Sequence, residues 1–295
     1  VRALAEFIMR GRAQAIVIAL IGSWFPLISP ATAALVSLRR GPLDGSLILL
    51  WALLPALAAF WLSDMGPLMP SVTLLGLLLT FVMALVLRNS SNWSVCLMGL
   101  VTLSCLGSLV LASSIPDPVA DVTEALGDML KQMQEQAQQT GEPSPLSLPS
   151  ETFVVGLVGY VMAVNALLSL LLARWWQAML YNPGGLQTEF HQVRLGPVPA
   201  LVCFAATLYC WRQGLDYQHW ASLFALPLMV TGAAIAHRLV KARGMGAQWL
   251  ILFYLVLLFA GPLIIVLALL DTWTDFRSRL APATSEIDKT DDRDQ

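Results

Sequence analysis

The side chains best suited to proton transfer or metal binding are three histidines, His191, His219 and His237, and they are dispersed along the chain. A metal site needs three or four converging donors, so each histidine reads as an interfacial side chain near a helix end. The four cysteines, Cys96, Cys105, Cys203 and Cys210, lie in apolar runs without a CxxC pair. They read as small buried hydrophobes rather than a disulfide or zinc framework. H-E-x-x-H, G-x-S-x-G and the Walker glycine loop do not occur. No catalytic residue, metal site or cofactor is expected, and the chain does not read as an enzyme. Groups for binding are better represented. Asn165 sits in an apolar run with Tyr160 five residues earlier; a buried amide there must bond either a neighbouring helix or a ligand. Arg212, Asp216, Tyr217 and His219 share one short polar stretch, which suits a weak surface ion pair or the polar rim of a cavity.

The elements that must hold these residues are membrane helices. The 295 residues are 57% hydrophobic and 12% charged, with a mean hydropathy of +0.70; about 25% charged is usual for soluble domains. Apolar runs near the ~20 residues that span a bilayer cover 13–28, 43–62, 68–87, 93–114, 152–173, 198–211, 220–237 and 248–270. The net charge of −2 gives no electrostatic case for a nucleic-acid partner. Membrane lipid, a small-molecule ligand and a membrane protein are the partners left. No carboxylate lies in the middle of a run, which argues against a proton relay.

The first run ends at Trp24, Phe25, Pro26, Leu27, Ile28, Ser29 and Pro30, and a short apolar segment then leads to Arg39, Arg40, Gly41 and Pro42. Proline removes a backbone donor and crowds the preceding turn, so the chain should break there and return as a short helix over 31–38. With that return, Arg2, Arg10, Arg12, Arg39, Arg40, Arg88, Arg174, Arg194, Arg238, Lys241 and Arg243 share one face. These are eleven of the seventeen Lys and Arg, and the positive-inside rule makes their face cytoplasmic. The expected fold is an all-α polytopic bundle of eight full spans plus one short proline-broken helix, with the N-terminus cytoplasmic and the tail outside. Eight residues rise only ~12 Å, so extended chain over 26–30 should complete the crossing. Irregular backbone at that depth has to be buried in protein or line a cavity. The expected lining is Trp24, Pro26, Ser29, Pro30, Trp51, Tyr160, Asn165, Arg212, Asp216 and His219. Nine tryptophans fall near run ends, with Trp24, Trp61, Trp211, Trp220 and Trp273 on the outer side. Trp51 alone falls mid-run and is expected to turn its ring toward the break, because its N–H needs a partner.

Residues 115–151 form a polar insert. Asp117 precedes Pro118 as a helix start, and Val119, Val122, Leu126, Met129 and Met133 make an apolar stripe. This predicts an acidic amphipathic helix outside the membrane, packed over its own protein or docking a partner. The membrane domain is set at 1–275, and the charged tail, 276–295, reads as disordered.

The segment Ser37, Leu38, Arg39, Arg40, Gly41, Pro42, Leu43, Asp44, Gly45, following a proline-broken span, resembles the S (substrate-capture) components of energy-coupling-factor transporters. Ala15 and Ala19 match the small-residue motif by which that family's first helix docks on a coupling subunit. The start of the chain and its layout are similar to the YybS-like family of bacterial integral membrane proteins. The resemblance implies a multi-pass bacterial inner-membrane protein that binds or helps transport a small molecule through an outward-facing cavity. The same broad group includes MreD-like cell-shape proteins, so the alternative is a non-transporting envelope scaffold recruiting partners through the 115–151 helix.

Overall fold

The computed structural model describes residues 1–62, 66–125 and 149–274, which are all-helical apart from turns. Most of the expected insert helix (126–148) and the expected tail (276–295) lie outside the described residues. Among the described residues six helices are long and apolar enough to cross a membrane, which makes the protein a polytopic helical membrane bundle.

A short amphipathic helix α1 (Arg2–Arg10) buries Ala5 and Ile8 and leads into α2 (Arg12–Ile21), which ends in a single 3₁₀ turn. The chain is extended at Phe25 and re-forms as α3 (Ile28–Arg40). Pro26 lies in the break. Pro30 does not, because it occupies the first turn of α3, where a helix has no donor to lose. The returning helix is therefore 13 residues long, not eight, and rises about 20 Å at ~1.5 Å per residue. It is also the centre of the bundle. Every residue from Ser29 to Leu38 is buried, against α2 and against α4 (Pro42–Leu62), α5 (Leu68–Ser90) and α8 (Glu151–Tyr181).

Both ends of the α2–α3 excursion lie at the same end of the bundle. Arg12 pairs with Asp44 at 2.6 Å, and Arg40 donates to the Met9 carbonyl at 2.6 Å. Arg39 stacks over the Tyr181 ring at 4.1 Å. Arg88 donates to the carbonyls of Leu38 (2.7 Å) and Ser37 (3.3 Å). These are last-turn carbonyls of α3; that of Ser37 also accepts from the Gly41 N–H at 3.1 Å. Gly41, at φ +102°, makes the turn into α4 in a conformation that only glycine adopts freely. We refer to this as the basic end.

From α5 the chain continues through α6 (Trp93–Ser114) and a short helix α7 (Pro118–Ala125). The Asp121 carboxylate accepts from the Leu68 backbone N–H at 3.1 Å, capping the start of α5. The described part of the insert thus packs on its own protein. α8 returns to the basic end, where a short helix α9 (Gly185–His191) is tied to it by the Arg174–Glu189 ion pair. Two helices packed on each other follow, α10 (Pro197–Arg212), of only 16 residues, and α11 (Gln218–Ala242).

The final helix α12 (Gln248–Thr274) is bent, with non-helical backbone at Ala260 (φ −130°, ψ 37°) two residues before Pro262. Its first limb places Tyr254 against His237, its second limb places Ile264 against Gly232, and Arg194 donates to the carbonyls of Asp271 and Thr272, both at 3.0 Å. Both limbs therefore meet the basic half of the bundle. Where eight full spans and one short helix are expected, the 13–28 run stops as an α-helix at Ile21, 198–211 forms a 16-residue helix, and 248–270 is bent at Ala260. Trp273 is accordingly placed beside Thr272 at the basic end, not at the opposite end with Trp211.

Candidate functional site

The break between α2 and α3 opens a cavity of about 370 Å³, within the ~300–1,000 Å³ usual for small-molecule pockets. One wall is the irregular segment Ser23, Trp24, Phe25 and Pro26, continued by Ser29 and Pro30 of α3. The facing walls come from Ala52 and Ala56 of α4, from the first half of α5, and from Val161, Met162 and Asn165 of α8. Small residues one turn apart on α4 leave room there. So does Gly76 in α5, where an added Cβ would meet nothing within 4 Å. Among the described residues no charged side chain lines the cavity.

Two polar groups are fixed by the break itself. Asn165 donates its Nδ2–H to the Pro26 carbonyl at 3.2 Å, satisfying an acceptor that the interrupted helix leaves free. Ser29 is 3% exposed and its hydroxyl has no hydrogen-bond partner among the described residues. A helical serine or threonine ordinarily bonds the carbonyl four residues back, as Thr32, Ser37 and Thr80 do here. For Ser29 that carbonyl belongs to Phe25, which is extended and already accepts from the Ile28 N–H at 3.2 Å. The break thus both forms the cavity and leaves a hydroxyl in its wall. Thr73 spends its hydroxyl on the Met69 carbonyl (3.0 Å). Trp24, Phe25, Met69 and Val161 are exposed where the cavity opens. The arrangement suits binding of an uncharged, mainly apolar molecule with one or two polar atoms. It provides no nucleophile with an adjacent base, and no group of three or more His, Cys, Asp or Glu that could hold a metal occurs among the described residues.

Five of the ten expected lining residues, Trp24, Pro26, Ser29, Pro30 and Asn165, meet here. Four others do not line it and lie around the start of α8 and the α10–α11 turn. His219 packs edge-on against Phe153 (4.6 Å between ring centroids) and stacks with Tyr160 (6.2 Å), while Asp216 accepts from the Ser150 hydroxyl at 2.6 Å. Arg212 is exposed, and no Arg212–Asp216 pair occurs among the described residues. Trp51 is 37% exposed and does not line the cavity; Ala52 and Ala56 take that position on α4. Ala15 and Ala19 are 1% and 0% exposed inside the chain's own bundle, where α2 packs on α3 and α4. They are not presented to a partner helix, because this fold already uses their small faces. Ala52, Ala56, Thr73 and Gly76 were not singled out from the sequence. The available signal was a lone glycine in a leucine run, disfavoured by about 1 kcal/mol against alanine. The four cysteines are free.

No protein-family model matches the chain, and neither a curated protein nor a solved structure matches it.

Proposed function

We propose that the protein is a multi-pass bacterial inner-membrane protein that captures a small uncharged molecule at the α2–α3 break and serves its uptake, in the manner of an S component. Its basic end faces the cytoplasm in this reading, by the positive-inside rule, and the cavity opens toward the outer side. The observation that carries the reading is the Ser29 hydroxyl, buried in the cavity wall without a partner among the described residues. A buried unpaired hydroxyl costs roughly 1–3 kcal/mol, which a ligand atom would recover. Native mass spectrometry of the protein in gentle detergent tests this. A co-purifying small molecule in the intact chain, absent from Gly76→Phe, is the expected result; Gly76 lines the cavity and a Cβ there meets nothing within 4 Å. A bare chain carrying a stoichiometric protein subunit instead would overturn capture and favour the envelope-scaffold alternative.

A further inference from the structure

A second pocket, of about 760 Å³, lies at the basic end and is separate from the α2–α3 cavity. Its walls are apolar over one half, where Leu171, Leu172 and Met179 of α8 face Leu186 and Phe190 of α9. From Leu171 to Met179 is eight residues, about 12 Å along the helix at ~1.5 Å per residue. The other half is polar and cationic. Arg2, Pro183 and Gly184 line it, and His237 and Tyr254 form a hydrogen-bonded pair at 2.9 Å in the wall. Gln187 also lines the pocket and accepts from Lys241 Nζ at 3.3 Å, which brings a second cation to it.

Among the described residues no carboxylate lines the pocket. The nearest acids are already engaged, Glu6 with Arg2 itself at 2.9 Å and Glu189 with Arg174. Trp175 is half-exposed at the edge, as tryptophan is at a headgroup boundary. A basic pocket between helices, with an apolar groove running inward from it, matches one kind of molecule: an acidic head joined to a long hydrocarbon chain.

We propose that this pocket is a specific site for an anionic phospholipid. The headgroup phosphate lies toward Arg2, Lys241 and the His237–Tyr254 pair, and an acyl chain runs along Leu171, Leu172 and Phe190. The site does not depend on what occupies the α2–α3 cavity. The bound lipid would join the start of the chain to α9 and to the first limb of α12, which otherwise buries little of itself.

Native mass spectrometry of delipidated protein, titrated with phosphatidylglycerol and with phosphatidylcholine of the same acyl chains, tests the assignment. Phosphatidylglycerol is expected to bind the more tightly. Arg2→Gln and Lys241→Gln should each weaken it about fivefold, the factor for ~1 kcal/mol per basic residue, and leave phosphatidylcholine unchanged. Leu172→Trp, which fills the apolar half, should abolish the preference. Arg2 is exposed, so Arg2→Gln decides the matter even if either other variant lowers the melting temperature. Equal binding of the two lipids, or an equal loss in Arg212→Gln at the opposite end, would overturn the proposal. Competition by glycerol 3-phosphate at concentrations comparable to the lipid would also overturn it, since the site would then be one for soluble phosphate.

Discussion

Among the described residues the chain reverses direction inside the bundle twice, between α2 and α3 and again at Ala260 in α12, and each reversal lies beside a proline. Each returning limb reaches the basic end with its last carbonyls held by an arginine from elsewhere, Arg88 for α3 and Arg194 for α12. Their surroundings differ. α3 is buried from Ser29 to Leu38, whereas α12 buries only Ile264, Ala268, Asp271 and Thr272. At the first reversal the freed Pro26 carbonyl meets Asn165, and a cavity surrounds the irregular segment. At the second, Leu258, Phe259 and Leu263 around the bend are 76%, 84% and 67% exposed. Non-helical backbone is tolerated at membrane depth where protein or a wet cavity covers it. The first reversal meets that condition within the chain, so it can serve as a site wall. The second has no such cavity around it among the described residues, and its limbs are held at separate points, Tyr254 on His237, Ile264 on Gly232 and the last carbonyls on Arg194.

The comparison fails outright if α12 crosses straight through, which makes sidedness the largest effect to measure. In a cysteine-free background, Leu43→Cys and Thr274→Cys are expected to react with a membrane-impermeant maleimide from the same side, and Leu215→Cys from the other. Leu43 and Leu215 are 86% and 79% exposed at opposite ends of the bundle. Labelling of Thr274→Cys together with Leu215→Cys would make α12 an ordinary span and leave a single reversal.

A graded version of the same contrast uses one glycine from each reversal's packing. A Cβ on Gly45 would lie 3.0 Å from Ser37 Cα and closer still to its side chain, while one on Gly261 would meet only Met229 Cε at 4.0 Å. Overpacking a close helix contact costs typically 1–3 kcal/mol and sometimes more. Gly45→Leu is therefore expected to lower the melting temperature in detergent by several degrees or to prevent assembly, and Gly261→Leu to leave it nearly unchanged. Equal losses would mean that α12 is packed as tightly as α3.

How far the sequence revealed this contrast depends on which signals are local. The first break was legible because Pro26 falls between an apolar run and a pair of arginines, and charge placement resolved the direction of the return. Pro30 was misread because two prolines of the same type differ only in where the next helix starts, which the packing of α3 sets. The second reversal was harder to see. Pro55 and Pro227 also interrupt apolar runs, yet their helices continue; just past the second, the Thr231 hydroxyl donates to the Pro227 carbonyl at 2.8 Å, an ordinary bond to the residue four back. Only the adjacent Gly261 set Pro262 apart. Trp51 was misplaced because α4 is apolar on all sides, so no periodicity shows which face turns inward. The cavity-lining Asn165 was legible as a buried amide in need of a partner, but that partner is 139 residues away.

The smallest expected effect concerns the hydroxyls. Ser29, Ser104 and Ser169 are all buried with no hydroxyl partner among the described residues, but only Ser29 lines the α2–α3 cavity. Removing an unsatisfied hydroxyl takes away a desolvated group and little packing volume, so each Ser→Ala change should leave the ligand-free melting temperature within about 2 °C or raise it slightly. The three variants should then separate on one readout. Ser29→Ala is expected to lose most of the co-purifying small molecule, by about fivefold to tenfold for one hydrogen bond of ~1–1.4 kcal/mol, while Ser104→Ala and Ser169→Ala retain it. A clear drop in the ligand-free melting temperature of Ser29→Ala alone would mean that its hydroxyl is already engaged inside the protein. The first reversal would then be a packed turn like any other, with nothing in its wall left for a ligand to recognise.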